Sequence, residues 1–109
     1  MNLIELKNIL QATGYPIAYL RFVETENEPL PQPPFIVYLS AFSSNTFADN
    51  QVYKEIDNVQ IELYTDKKDL IAENKLATVL NENELPFQTT ETFIESENLH
   101  QKIYEVRLF

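Results

Sequence analysis

A change of hydrophobic period near residue 65 constrains this chain more than any other feature. From Val52 to Tyr64 the side chains alternate, with Val59, Ile61 and Leu63 on one face and Asn58, Gln60 and Glu62 on the other. Beyond it the period lengthens, and Ala72, Leu76, Val79 and Leu80 line one side of a helix. A strand with one face on a core, followed at once by a helix with one apolar stripe, specifies a sheet with helices beside it. Thr65 or Asp66 is placed to cap that helix, and Asp69 to complement its dipole in the first turn. Asn81 to Glu84 ends it, and Pro86 forbids resumption.

The flanking segments extend the same logic. Asn2 can cap a first helix with Glu5 in capping-box position, while Leu3, Leu6, Ile9 and Leu10 make its apolar face. Gly14 is placed to end it in a left-handed conformation, and Pro16 prevents continuation. Ile17 to Val23 is rich in strand formers. Glu24 to Pro34 is acidic, then proline-rich, and reads as a loop or exposed arm. Phe35 to Phe42 is nearly continuous apolar sequence and suits a central strand covered on both faces. Ser43-Ser44-Asn45 reads as a turn, and Phe47-Ala48-Asp49-Asn50 as another.

After Pro86, two strands are predicted, Phe87 to Ile94 and Lys102 to Phe109, joined by the polar Glu95-Ser96-Glu97-Asn98. In the second, Tyr104, Val106 and Leu108 face away from Ile103, Glu105 and Arg107. The order is α-β-β-β-α-β-β. It implies an α+β fold in one domain, 1–109, with two helices on an antiparallel or mixed sheet of about five strands.

Composition bounds the function. The 109 residues are 44% apolar, enough for one core without staples. There is no cysteine, so neither a disulfide framework nor a thiolate metal site is available. Residues 1–7 lack the pattern of a signal peptide, and no run approaches the roughly 18 apolar residues of a membrane span, so a soluble protein is expected. The formal charge of -9 disfavours binding to nucleic acid phosphates and anionic membranes. A single glycine excludes phosphate-cradling glycine loops.

Catalytic constellations are not built. His100 is the only imidazole, and none of its possible partners Ser40, Ser43, Ser44 and Ser96 lies in a nucleophile elbow. An inert, surface-exposed His100 is the simpler reading. Among the carboxylates, Asp66 and Asp69 have a helix-terminal account, Asp49 suits a turn, and Asp57 has no calcium loop around it. Tyr15, Tyr19, Tyr38, Tyr53, Tyr64 and Tyr104 could stack bases, yet such platforms lie in basic grooves, so core and strand packing accounts for them better. The sequence predicts a non-enzyme with no catalytic residue, cofactor or metal.

Two features favour assembly. The 24–34 segment is too polar to pack on its own account, and loops of that size are usually functional or disordered. The strand reaching Phe109 has no polar tail to blunt it. The contact candidates are Glu24, Glu26, Glu28, Pro31, Pro33 and Pro34, with Ser43, Ser44, Asn45, Thr46 and Asp49 as a second set.

Three stretches carry a family resemblance: Pro33-Pro34-Phe35-Ile36-Val37-Tyr38, Phe47-Ala48-Asp49-Asn50-Gln51-Val52-Tyr53, and Val59 through Thr65-Asp66-Lys67-Lys68-Asp69. With Phe93-Ile94-Glu95-Ser96-Glu97 and Gln101 to Val106, they resemble the small tail terminator, or tail completion, proteins of siphophages. The resemblance covers most of the chain beyond residue 30. It implies a ring, usually a hexamer, that caps the tail tube, stops its polymerisation and presents a head-tail joining surface. The implied partners are further copies, the tail tube protein and head connector proteins. The implied location is the virion neck, after assembly in the host cytoplasm. No cofactor and no membrane enter this picture. DNA would pass through the ring without specific binding, its phosphates repelled by carboxylates facing the axis. An axis lined by lysine and arginine would contradict that last expectation. Against this stand a small acidic binding module that mimics DNA, for which the acids lack regular spacing, and a small hydrolase, for which His100 lacks a partner.

Overall fold

The computed structural model describes residues 1–48 and 51–108. Among them, strands β1 (Ile17–Tyr19), β2 (Phe35–Ala48), β3 (Gln51–Thr65), β4 (Gln88–Ile94) and β5 (Leu99–Leu108) form one sheet in the order β1-β2-β3-β5-β4. β1 runs parallel to β2, and every other neighbouring pair is antiparallel. Helices α1 (Leu3–Gln11) and α2 (Leu70–Glu82) complete an α+β fold with a mixed sheet.

Two connections follow from this order. Parallel neighbours cannot be joined by a tight turn, so β1 returns to the start of β2 through a long crossover. The acidic and proline-rich segment 20–34 is that crossover. β3, α2 and β4 make a second one, which leaves a gap that β5 fills.

The core lies between the helices and one sheet face. Leu6 and Leu10 from α1 meet Leu76 and Leu80 from α2 over Ile36, Tyr38, Val59, Ile61, Leu63, Tyr104, Val106 and Leu108. Strand register explains the set: Tyr38 pairs with Ile61 and Ile61 with Tyr104, while Val59 pairs with Val106. Each fully buried aliphatic side chain contributes about 1.5–3 kcal/mol relative to exposure. The ends of α1 are those the sequence marks. Asn2 Oδ1 accepts the Glu5 N–H at 2.9 Å, and Gly14 takes φ 81° just past the α1 terminus.

Four expectations are corrected. β1 stops at Tyr19, short of Val23, because Leu20 takes φ 70° and the Arg21 N–H bonds back to the Tyr19 carbonyl. Ser43-Ser44-Asn45 is not a turn but the interior of β2, paired with Asp57, Ile56 and Glu55. Thr65 and Asp66 do not cap α2: Thr65 closes β3, and Asp69 Oδ1 accepts the Ala72 N–H at 3.0 Å. His100 is not surface-exposed, since its side chain keeps only 15% of its accessible area. The expected turn at Phe47-Ala48-Asp49-Asn50 starts inside β2, and its Asp49 and Asn50 lie outside the described residues, as does Phe109.

Candidate functional site

The hairpin of β2 and β3 outruns the sheet. β1 accompanies β2 only as far as Tyr38, and β5 accompanies β3 only from Asp57. Beyond those points the two strands pair with each other, down to Ala48 and Gln51. The result is a two-stranded ribbon with backbone donors and acceptors along both sides. Ala41 has no partner in the register, so a bulge marks where sheet becomes ribbon. A groove of about 580 Å³ opens at this junction, between Phe42, Asn58 and Arg107 on one side and Pro86, Phe87 and Gln88 on the other.

Further along β4 and β5, beside α2, the sheet carries an ion cluster. Glu73 Oε1 accepts from Lys68 Nζ at 2.9 Å and from Lys102 Nζ at 2.8 Å. Lys68 also bonds Glu91, and Lys102 Nζ lies 4.0 Å from the same carboxylate. His100 Nε2 stands 3.9 Å from Glu91 Oε1. The cluster joins α2, the segment before it, β4 and β5. Strand parity places it: Lys102 pairs with Leu63 and His100 with Thr65, both on the core face of β3. Burial pushes the Glu73 carboxyl up, but the hydrogen bonds from Lys102 and Lys68 outweigh it and hold the net value below the usual range. Glu91 is lowered by its Lys68 bond, and Lys68 is raised by Glu91 and then Glu73. Glu73 Oε2 and Thr65 Oγ1 are buried without a hydrogen-bond partner among the described residues. Such an oxygen costs roughly 1–3 kcal/mol, so the cluster fixes geometry more than it adds stability.

On the other face of the sheet, Tyr64 stacks on Phe35 at 5.1 Å, and Phe22 from the crossover meets Phe35 edge-on. The Tyr64 hydroxyl donates to Glu62 and accepts from Gln101. Burial, then the Glu62 charge, pushes it up to about 12.

The contact candidates separate into two groups. Glu24, Glu26 and Glu28 are exposed in the crossover, where Thr25 and Glu28 close a small turn, and Pro31, Pro33 and Pro34 are half-buried at its far end. Ser43, Ser44, Asn45 and Thr46 lie on the ribbon strand of β2, and Asp49 falls outside the described residues. The structure does not bring the two groups together in one contact among the described residues.

Sequence reasoning missed the ion cluster, although the signal was present. Counting back from Tyr104 by twos puts Lys102 and His100 on the core face, and Glu73 lies beside Ala72 and Leu76 on the buried stripe of α2. It missed the ribbon because Ser and Asn are turn formers in isolation. Among the described residues, no group of three His, Cys, Asp or Glu side chains could hold a metal ion. No protein-family model matches this chain, and no curated protein matches it.

Proposed function

We propose that this chain is a structural subunit of the phage tail terminator kind, which forms a ring on the head-proximal end of the tail tube. In that role it ends tube polymerisation and offers the head connector a surface to join. The observation that carries the reading is the ribbon: β2 and β3 extend past both neighbours, with unpaired backbone edges suited to other chains. The sequence resemblance over residues 33–38, 47–53 and 59–69 supports it, and so does a charge of -9, which lets DNA pass a lumen without sticking. The partners are then further copies, the tube protein and connector proteins, in the virion neck.

Electron microscopy of particles made without this chain tests the proposal. Overlong tails, or tails and heads left unjoined, are expected. Normal tails on filled heads would contradict it.

A further inference from the structure

A strand edge invites another chain unless it is short, bulged, charged, interrupted by proline or covered. Of these protections β4 has only a single charge. It spans seven residues and pairs with β5 without a register shift, from Gln88 with Glu105 to Ile94 with Leu99. It contains no lysine and no proline, and its one charge, Glu91, is engaged by Lys68.

A second open edge lies on the ribbon. Tyr19 Oη accepts the Ser40 N–H at 3.2 Å, which closes the edge of β2 just past β1. After the Ala41 bulge, residues 42–48 pair on one side only among the described residues, with β3. They read Phe-Ser-Ser-Asn-Thr-Phe-Ala, carry no charge and match β4 in length. The ribbon's other side, on β3, is interrupted: Tyr53 has no partner in the register, and a bulge twists an edge away from pairing.

Charge then selects the occupant. At -9, two copies repel over most approaches, and many outside chains would meet the same acidic surface. The 42–48 edge and the β4 edge let two backbones meet without opposing carboxylates, and at about 3.3 Å per residue each offers roughly 23 Å of ladder. The geometry points to a strand-to-strand contact between copies: the 42–48 edge of β2 in one copy pairs with the β4 edge of the next. The two surfaces differ, so the contact is head-to-tail, and a repeated head-to-tail contact makes a ring when its rotation closes. This inference rests on the ring reading above and names the strands that build it.

The absence of cysteine makes the test clean. Ser44→Cys and Thr90→Cys are introduced together and singly, and each protein is treated with a short bis-maleimide. The double variant is expected to give a covalent ladder that stops at one size. A mixture of the single variants gives dimers only, and neither single variant reacts with itself. Self-linking of either single variant means that copies meet like-to-like, and overturns the pairing. Oligomers of the unmodified chain by light scattering, with no ladder from the double variant, overturn the pairing and leave the ring reading standing. A monomer at every concentration with no ladder also overturns the pairing, and tail lengths in the particles then decide the ring by themselves. As a second arm, Thr90→Lys with Thr92→Lys places guarding charges on β4. At unchanged circular dichroism, at least tenfold weaker self-association is expected, and unchanged association overturns the inference.

Discussion

At the β1 flank, Tyr19 stands edge-on to Tyr38 with ring centroids 5.2 Å apart, and α1 packs Leu6 and Leu10 into the core beside it. At the β4 flank, both faces of the strand are exposed over nearly its whole length, and Glu91 is held by Lys68 beside Glu73 and Lys102. One flank is fastened by apolar burial, which salt and pH barely alter between their extremes. The other is fastened by a backbone ladder and four charges, which salt and pH do alter. The difference teaches where the fold is closed and where it is open. The β1 side ends in three residues and a backbone reversal, whereas the β4 side ends in a straight strand that the fold leaves available.

The largest effect that sharpens this contrast comes from Leu10→Ala. Leu10 is fully buried in α1, and truncating such a side chain typically costs about 3 kcal/mol through lost transfer and a residual cavity. Urea unfolding should show this loss at low and high salt alike. A cost that shrinks strongly in salt would erase the distinction between the flanks.

Glu73→Gln should cost less, about 1–2 kcal/mol, because it leaves Lys102 poorly compensated but also removes a buried carboxylate with one unpartnered oxygen. The cost should fall in high salt. Hydrogen exchange should rise in residues 88–94 before it rises in 57–65, since among the described residues β4 has β5 as its only strand neighbour. Equal changes in both segments would break the comparison.

The pH dependence has a defined sign. The Glu73 and Glu91 values lie below their ordinary 4.5, so their contribution is present above that pH and is lost as pH falls through the lowered values. Lys68 lies above its ordinary 10.5, so its contribution is present below that pH and fades as pH rises through the raised value. Tyr64, pushed up to about 12, adds a loss of stability that begins near pH 10, where the unfolded phenol ionises and the folded one does not. Thermal unfolding across pH should therefore show a plateau with an acid limb, and Glu73→Gln should flatten that limb. An acid limb unchanged in the variant would place the titrating groups elsewhere.

The core beneath the helices was more legible from sequence than the end of β1, which was expected to run on to Val23. Leu6, Leu10, Leu76, Leu80, Val59, Ile61 and Leu63 announce themselves by period alone, because burial of apolar side chains is what period encodes. The helix order and the mixed or antiparallel sheet follow from them. What stayed hidden depends on neighbours distant in the chain. Ser43 to Asn45 became strand because β3 lies alongside to accept their backbone bonds, which outweighs a local preference for turns. Thr65 stayed in the ladder opposite His100, so the helix waited for Asp69 to cap it. Lys102 and Glu73 look like surface residues by type, and only their positions on buried faces place them in a cluster. The long acidic crossover has a topological cause as well, since a parallel β1–β2 pair requires one.

The smallest effect tests whether the β1 edge is blunted by backbone geometry. Leu20 (φ 70°) and Gly14 (φ 81°) occupy the same left-handed region, one with a side chain and one without. No atom lies within 4 Å of where a Cβ on Gly14 would sit, so Gly14→Ala costs only conformational strain, about 1 kcal/mol. Leu20→Gly removes the same strain from a residue that is 59% exposed, at the expense of some unfolded-chain entropy. It should stabilise the fold by a few tenths of a kcal/mol, up to about 1. Paired thermal scans should therefore move in opposite directions. If Leu20→Gly instead destabilises by as much as Gly14→Ala does, the Leu20 side chain holds the crossover through packing. The β1 edge would then be closed by contact, like the core beside it, and backbone reversal would have only a secondary part.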